Sequence, residues 1–153
     1  GPLRESLNSL KEVDLILING KKNAKFEKKI LGINKKLNIF YSSYKPINSK
    51  QFRGKKLIAI AGIGNPHNFF KLLSELNMRI EKKLIFPDHY QFKKNEILSI
   101  LNEAKRNNCE LIMTEKDYFK LKKFNLKNLN YLKLSFEIKN KKKFLNKILK
   151  DYD

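Results

Sequence analysis

Residues 56–70 read KLIAIAGIGNPHNFF, and this stretch decides the fold class. After Lys56 the run is apolar at five consecutive positions, which is typical of a strand covered on both faces of a sheet. Two glycines then turn the chain, and Asn65 followed by Pro66 is a favoured N-cap and first residue of a helix. A buried strand, a tight turn and a helix in this order form the repeating unit of an α/β protein.

The same alternation runs along the rest of the chain. Apolar runs predict further strands over 13–18, 37–44, 79–86, 110–114 and 131–138, and helical spacing of apolar residues predicts helices over 4–14, 66–76, 95–106, 117–123 and 141–150. The lysine-rich residues 21–36 predict a loop or a short irregular helix. We therefore expect an α/β fold, a three-layer α/β/α sandwich with a mostly parallel, Rossmann-like sheet.

The composition indicates a folded domain that carries an unusual charge. The 153 residues allow one domain with a hydrophobic core, and no apolar run approaches the roughly 20 residues that a membrane-spanning helix needs. The single cysteine, Cys109, leaves no partner for a disulfide within the chain and fits a reducing compartment.

The formal net charge is +19, from 34 lysines and arginines against 15 aspartates and glutamates. Only four of the basic residues are arginine, the side chain whose fork of N–H groups binds phosphates and guanines. The charge is explained either by compositional drift in an AT-rich genome, with the lysines solvated, or by attraction to an anionic partner. The scarcity of arginine argues against a nucleic-acid-binding protein.

The turn AGIGNP lies where open α/β sheets bind ligands, beyond the carboxyl end of a strand. Gly62 and Gly64 permit positive φ and the close approach of a ligand, and the N–H groups that open the next helix favour an anion. Two observations limit this interpretation. Every α/β protein needs a tight turn here, and the sequence contains no GxxxxGK[ST] phosphate-binding loop.

A second polar cluster follows the strand predicted over 79–86. The sequence FPDHY places Asp88 beside His89, a pair that can orient an imidazole for proton transfer. The ordinary alternative is an exposed histidine in a turn.

A third cluster, TEKDY, follows the strand predicted over 110–114. It gathers Glu115, Lys116 and Asp117 at a strand end, and its ordinary alternative is a helix start capped by Thr114. Three polar clusters at three strand ends are more informative than any one of them. No set of Cys or His residues has the spacing of a metal site, so we expect no metal held by this chain alone.

Five stretches in this order, GPLRESLNSL, DLILING, IAIAGIGNPHNFF, FPDHYQF and LIMTEKDYFKL, resemble the C-terminal half of tetraacyldisaccharide 4′-kinase, an enzyme of the lipid A pathway. The resemblance implies two α/β lobes joined by a short linker, with the P-loop and the magnesium-binding carboxylates in the N-terminal lobe. It implies that residues 1–12 end that lobe, 13–54 form linker strands and a connection, and 55–153 form the C-terminal α/β lobe.

The resemblance also implies roles for individual residues. His89, preceded by Asp88, resembles the histidine that supports the catalytic aspartate of the other lobe. The implied nucleotide contacts are Gly62, Gly64, Asn65 and Pro66. The implied polar contacts of the cleft are Arg4, Glu5, Glu115, Lys116 and Asp117.

The implied reaction transfers the γ-phosphoryl group of ATP to the 4′-hydroxyl of tetraacyldisaccharide 1-phosphate, with Mg²⁺ held mainly by the P-loop lobe. The implied partners are the anionic glycolipid, the P-loop lobe and the cytoplasmic face of the inner membrane, where the protein would be a peripheral monomer that binds no specific nucleic acid. Without the P-loop lobe, the 153 residues are expected to be inactive. A basic α/β module that binds nucleic acid, or a stand-alone nucleotide-binding domain, is the alternative.

Overall fold

The computed structural model describes residues 5–150, without the side chain of Lys150. The strands are β1 (Leu15–Asn19), β2 (Asn38–Pro46), β3 (Lys56–Ala61), β4 (Arg79–Ile85), β5 (Cys109–Met113) and β6 (Leu134–Ile138). The helices are α1 (Ala24–Ile33), α2 (Pro66–Glu75), α3 (Lys94–Arg106), α4 (Glu115–Leu121) and α5 (Lys141–Lys150). Short 3₁₀ helices span Leu7–Glu12, Ser49–Phe52 and Lys122–Phe124.

The chain divides into two compact units. The first contains the residues up to Lys45 and those from Ser135 onward, and the second is Pro46–Leu134. Strands β1, β2 and β6 form a sheet in that order, and β4, β3 and β5 form another. No helix in the described part of the chain is long and apolar enough to cross a bilayer.

The sheet β1-β2-β6 is mixed. Strands β1 and β2 are parallel, with Leu15 opposite Asn38. Strand β6 runs antiparallel to β2, because hydrogen bonds join Ile47 to Lys133 and Tyr41 to Lys139, in opposite chain order.

Helices pack on the two faces of this sheet through successive side chains of β2. The Tyr41 hydroxyl donates to Glu27 of α1 at 2.9 Å, and the ring of Phe40 lies 5.2 Å from the ring of Phe144 in α5. Neighbouring residues of a strand point to opposite faces, so α1 and α5 lie on opposite sides.

The sheet of the second unit is fully parallel, in the order β4-β3-β5. The side chains of the central strand β3 alternate between two cores, as the period of a strand requires. Leu57, Ala59 and Ala61 pack with α2, while Ile58 and Ile60 pack with α3 and α4. This unit is therefore the three-layer α/β/α sandwich that the continuous apolar run predicted.

Two predictions about the elements were wrong. Residues 21–36, predicted to be a loop or a short irregular helix, contain the regular helix α1, which begins where the Asn23 side chain accepts the Phe26 N–H at 3.1 Å. The last strand, predicted over 131–138, is divided. Tyr131 forms an isolated bridge with Met113 beside the parallel sheet, and only Leu134–Ile138 forms β6.

The parallel sheet brings three loops to one edge. Parallel strands end at the same side of a sheet, so the segments that follow β3, β4 and β5 emerge together. These are the turn 62–65, the loop 86–93 and the start of α4, and they contain the three polar clusters predicted from the sequence. We call the groups at this edge, from the turn, from 86–90 and from 114–120, the strand-end site.

Candidate functional site

Gly62, the first residue of the turn, is buried, and both of its backbone polar groups are bound to side chains of α4. Its N–H donates to Asp117 Oδ2 at 2.9 Å, and its carbonyl accepts from Lys120 Nζ at 2.9 Å. A Cβ atom at this position would lie 3.1 Å from Asp117 Oδ1 and 3.3 Å from Phe92 Cζ. Glycine is therefore needed here because protein atoms approach the backbone closely.

The rest of the turn faces solvent. Gly64 and Asn65 are exposed, Pro66 is half-buried, and Asn65 Oδ1 accepts the Asn68 N–H at 3.4 Å as the N-cap of α2. A Cβ at Gly64 would lie 3.2 Å from Asp88 Oδ2. Neither Gly62 nor Gly64 has positive φ, so the expectation that the turn uses the special backbone freedom of glycine is not met.

The loop after β4 holds Asp88 and His89 side by side. The backbone of His89 is left-handed, with φ of 60°, and its N–H donates to Asp88 Oδ1 at 3.0 Å. His89 Nε2 lies 3.7 Å from Asp88 Oδ2, and 79% of the histidine side chain is exposed. The imidazole is therefore free to reach another group while Asp88 lies behind it.

Asp88 is also held from α4. Lys116 Nζ donates to Asp88 Oδ1 at 3.3 Å, so this carboxylate joins the loop after β4 to the helix after β5. Partial desolvation disfavours ionisation of Asp88, but the hydrogen bonds from Lys116 and from the His89 N–H, with the positive charges nearby, outweigh it. The pKa of Asp88 consequently lies below its ordinary value.

Asp117 is the most enclosed polar residue of the strand-end site, with no exposed surface. Its Oδ2 accepts the Thr114 hydroxyl at 2.7 Å and the Gly62 N–H, and its Oδ1 accepts from Lys120 Nζ at 3.0 Å. Thr114 also caps α4, because its Oγ1 accepts the Asp117 N–H at 3.2 Å. The capping role named as the ordinary alternative is thus present, together with a buried ion pair.

An aromatic cluster within the loop 86–93 approaches the turn at Gly62. The rings of Phe86, Tyr90 and Phe92 lie about 5 Å from one another, at 4.9 to 5.1 Å between centroids. Lys120 Nζ lies 5.8 Å from the centre of the Phe92 ring, which adds a cation–π contact to its polar ones. Phe92 and Lys120 were not among the site residues predicted from the sequence.

The structure brings most of the predicted residues together. Contacts connect the turn with Asp88 and Asp117, Lys116 contacts Asp88, and Glu115 is a half-buried residue of the first turn of α4. Glu5 is exposed and belongs to the other compact unit, and Arg4 lies outside the described residues. Within residues 5–150 there is no group of three His, Cys, Asp or Glu side chains that could hold a metal ion.

Comparison with known proteins gives one consistent result. The family model described as tetraacyldisaccharide-1-P 4′-kinase (LpxK) matches residues 1–153. Tetraacyldisaccharide 4′-kinase of Pelagibacter ubique is 35% identical over 98% of this chain and 49% of its own length. The enzyme of the same name from Francisella tularensis subsp. novicida is 35% identical over 90% of this chain and 44% of its own length.

A solved structure is similar at the level of the fold. The crystal structure of LpxK from Aquifex aeolicus in complex with ATP aligns with a TM-score of 0.64 and 20% identity, over 97% of this chain and 45% of that one. The chain thus spans about half the length of the curated relatives that it matches.

Proposed function

The chain belongs to the tetraacyldisaccharide-1-P 4′-kinase (LpxK) family, and on this basis we propose that it is the C-terminal half of an ATP-dependent lipid kinase. The whole enzyme transfers the γ-phosphoryl group of ATP to the 4′-hydroxyl of tetraacyldisaccharide 1-phosphate in lipid A biosynthesis. The observation that carries the proposal is the meeting of the turn, Asp88 and α4 at one edge of a parallel sheet.

In this proposal the exposed part of the turn meets the nucleotide. Gly64 and Asn65 are exposed and Pro66 opens α2, so the positive end of the helix dipole lies beside the exposed part of the turn. Helix N-termini favour the negative charge and the acceptor atoms of a nucleotide. Gly62 has a structural role in this proposal, because both of its backbone polar groups are already hydrogen-bonded within the protein.

The proposed role of His89 is to hydrogen-bond the catalytic carboxylate of the P-loop lobe. Its imidazole is mostly exposed, and Asp88 lies close enough to bias its orientation. A histidine in this position can adjust the basicity of a carboxylate that removes a proton from the sugar hydroxyl. Lys116 of α4 holds Asp88 in turn, so one residue of a loop and one of a helix bias the position of the imidazole.

Residues 5–150 contain no group of three side chains of the metal-binding types His, Cys, Asp and Glu. Asp88 is bound to Lys116, Asp117 is buried, and no third ligand is grouped with them among residues 5–150. We propose that magnesium and the phosphates are held by the P-loop lobe, so that residues 1–153 alone are inactive. In this arrangement residues 1–12 end that lobe, 13–54 form the linker, and Arg4 and Glu5 face the cleft.

We also propose that the enzyme works as a peripheral monomer on the cytoplasmic face of the inner membrane. The acceptor is an anionic glycolipid, and the net charge of +19 favours an anionic surface. A nucleic acid partner is disfavoured, since guanidinium groups that read bases and phosphates are scarce in the chain.

The test is a phosphoryl-transfer assay with the intact natural protein that carries this chain. Tetraacyldisaccharide 1-phosphate in detergent micelles and ATP labelled at the γ-phosphate should give a product labelled at the 4′ position. His89→Ala should lower kcat by about 10²-fold, the scale of a lost proton-transfer partner, with a smaller effect on the KM for ATP.

The matched control is His67→Ala, because His67 is the other histidine of the chain and is also exposed. It should retain the wild-type rate. No label transfer by the wild-type protein would contradict the proposed activity, whereas an unchanged kcat in His89→Ala would remove only His89 from the mechanism.

A further inference from the structure

The backbone of Gly62 is bound by side chains. Gly62 is buried, and a buried N–H or carbonyl needs a hydrogen-bond partner. Here the N–H binds Asp117 Oδ2 and the carbonyl binds Lys120 Nζ, each at 2.9 Å, and Asp117 Oδ1 lies 3.0 Å from the same ammonium group. Two side chains of α4 therefore close a ring of contacts around one residue of the turn.

The ion pair in this ring is buried. Asp117 has no exposed surface, and 22% of the Lys120 side chain is exposed. Removing charges from water is unfavourable unless they are paired and hydrogen-bonded, and even then a buried pair is weak support for net stability. What the pair does determine is geometry, since it fixes the orientation of the peptide groups on both sides of Gly62.

Neither Asp117 nor Lys120 is placed to touch a ligand beyond the turn. Asp117 is fully enclosed, and the Lys120 ammonium is directed at Gly62 O, at Asp117 and toward the Phe92 ring. One helical turn earlier, Lys116 holds Asp88. Helix α4 therefore fixes two of the loops of the strand-end site.

We propose that Asp117 and Lys120 are positioning residues, whose buried ion pair clamps the backbone of Gly62 and holds Gly64, Asn65 and Pro66 in the conformation that meets the nucleotide. This inference rests on the proposed nucleotide role of the turn. The clamp acts on the affinity for ATP and leaves the phosphoryl-transfer step to other groups.

The test uses Lys120→Met in the intact natural protein, because methionine keeps an unbranched side chain of similar length and removes the ammonium group. The backbone amides of Gly62, Ile63 and Gly64 should exchange with deuterium about tenfold faster, the effect of losing one charge-assisted hydrogen bond. The KM for ATP should rise about tenfold for the same reason, with kcat within about twofold of wild type.

Two further variants separate positioning from general stability. Lys120→Arg keeps the charge and the donors, so it should restore part of the amide protection and of the ATP affinity. Ile97→Ala removes buried surface of α3 but leaves the ion pair and the hydrogen bonds of Gly62 in place, so it should lower stability without raising the KM for ATP. Asp117→Asn keeps the shape and an acceptor, and tests the clamp if Lys120→Met does not fold.

The two arms distinguish this inference from the proposed function. Amide exchange can be measured in a protein that is not catalytically active. A wild-type protein without kinase activity would therefore contradict the proposed function, and the exchange rates in Lys120→Met would still test the clamp. Unchanged exchange and unchanged KM in folded Lys120→Met would overturn the clamp alone. An equal rise of the KM for ATP in Ile97→Ala would also overturn it, because the effect would then be general destabilisation.

Discussion

Gly62→Ala provides a direct test of the packing at the strand-end site. The new methyl group would lie 3.1 Å from Asp117 Oδ1, 3.3 Å from Phe92 Cζ and 3.5 Å from Phe86 Cβ. Asp117 cannot retreat easily, because its oxygens are held by Gly62, Thr114 and Lys120, and Phe92 is 4% exposed. The backbone of Gly62 is not in the left-handed region, so the cost comes from these contacts and not from strain in φ.

The magnitude follows from two opposing effects. Overpacking a filled site costs about 1 to 3 kcal/mol, and replacing glycine restricts the unfolded chain, which returns about 0.4 to 1 kcal/mol. A net loss of about 1 to 2 kcal/mol remains, which lowers the midpoint of thermal unfolding by about 2 to 8 °C for a chain of this size.

The assay is thermal or urea unfolding of the 153-residue chain, followed by circular dichroism. The matched control is Gly32→Ala, because Gly32 lies in helix α1 with no atom within 4 Å of the added Cβ. Gly32 is in the last turn of α1, so this change should leave the stability unchanged or raise it by up to about 1 kcal/mol. A Gly62→Ala variant that is as stable as wild type would refute the close approach of Asp117 and Phe92 to the turn.

Two further predictions concern Asp88. Its pKa should be below the ordinary 3.8, so its contribution to stability is complete above about pH 4 and is lost as the pH falls through the folded pKa. NMR of the carboxyl group should show this pKa rising in Lys116→Met. An unchanged pKa in that variant would contradict the contact between Lys116 and Asp88. Gly64→Val adds a side chain whose Cβ would lie 3.2 Å from Asp88 Oδ2, and it should weaken ATP binding in a titration of the intact protein. Unaltered affinity in a folded variant would argue against a nucleotide contact there.

Local signals made the central part of the fold predictable. The run that became β3 is apolar at consecutive positions, and it proved to be covered by two helical layers. Asn65 and Thr114 cap α2 and α4, as their positions before helical patterns indicate. Once the order of strands and helices favoured a parallel sheet, the convergence of three strand ends followed from the fold class.

The parts that depend on distant pairing were not predictable in the same way. The apolar runs of β1 and β3 look alike, so composition did not reveal that they belong to different sheets. Helix α1 carries Phe26, Ile30 and Ile33 at helical spacing, but the lysines between them obscured the pattern. Distant pairing depends on which surfaces bury together, and a single segment does not encode this.

The details of the strand-end site show the same limit. Lys120 follows Asp117 by three residues, a spacing that allows an ion pair on a helix, but it was one lysine among many. The close approach that requires glycine at position 62 comes from an aspartate 55 residues later in the chain. A nucleotide-type turn and a turn packed against its own protein share the same glycines, so only the structure shows that Gly62 is buried against its own protein while Gly64 is exposed.

The most direct test of the account is a crystal structure of the intact natural protein with a non-hydrolysable ATP analogue. Atoms of Gly64, Asn65 or Pro66 should lie in van der Waals contact with the nucleotide, and the His89 imidazole should face the same cleft. A nucleotide bound in the P-loop lobe while the strand-end site points away into solvent, in a protein active as a kinase, would contradict the claim that this edge of the sheet is the second wall of the active site.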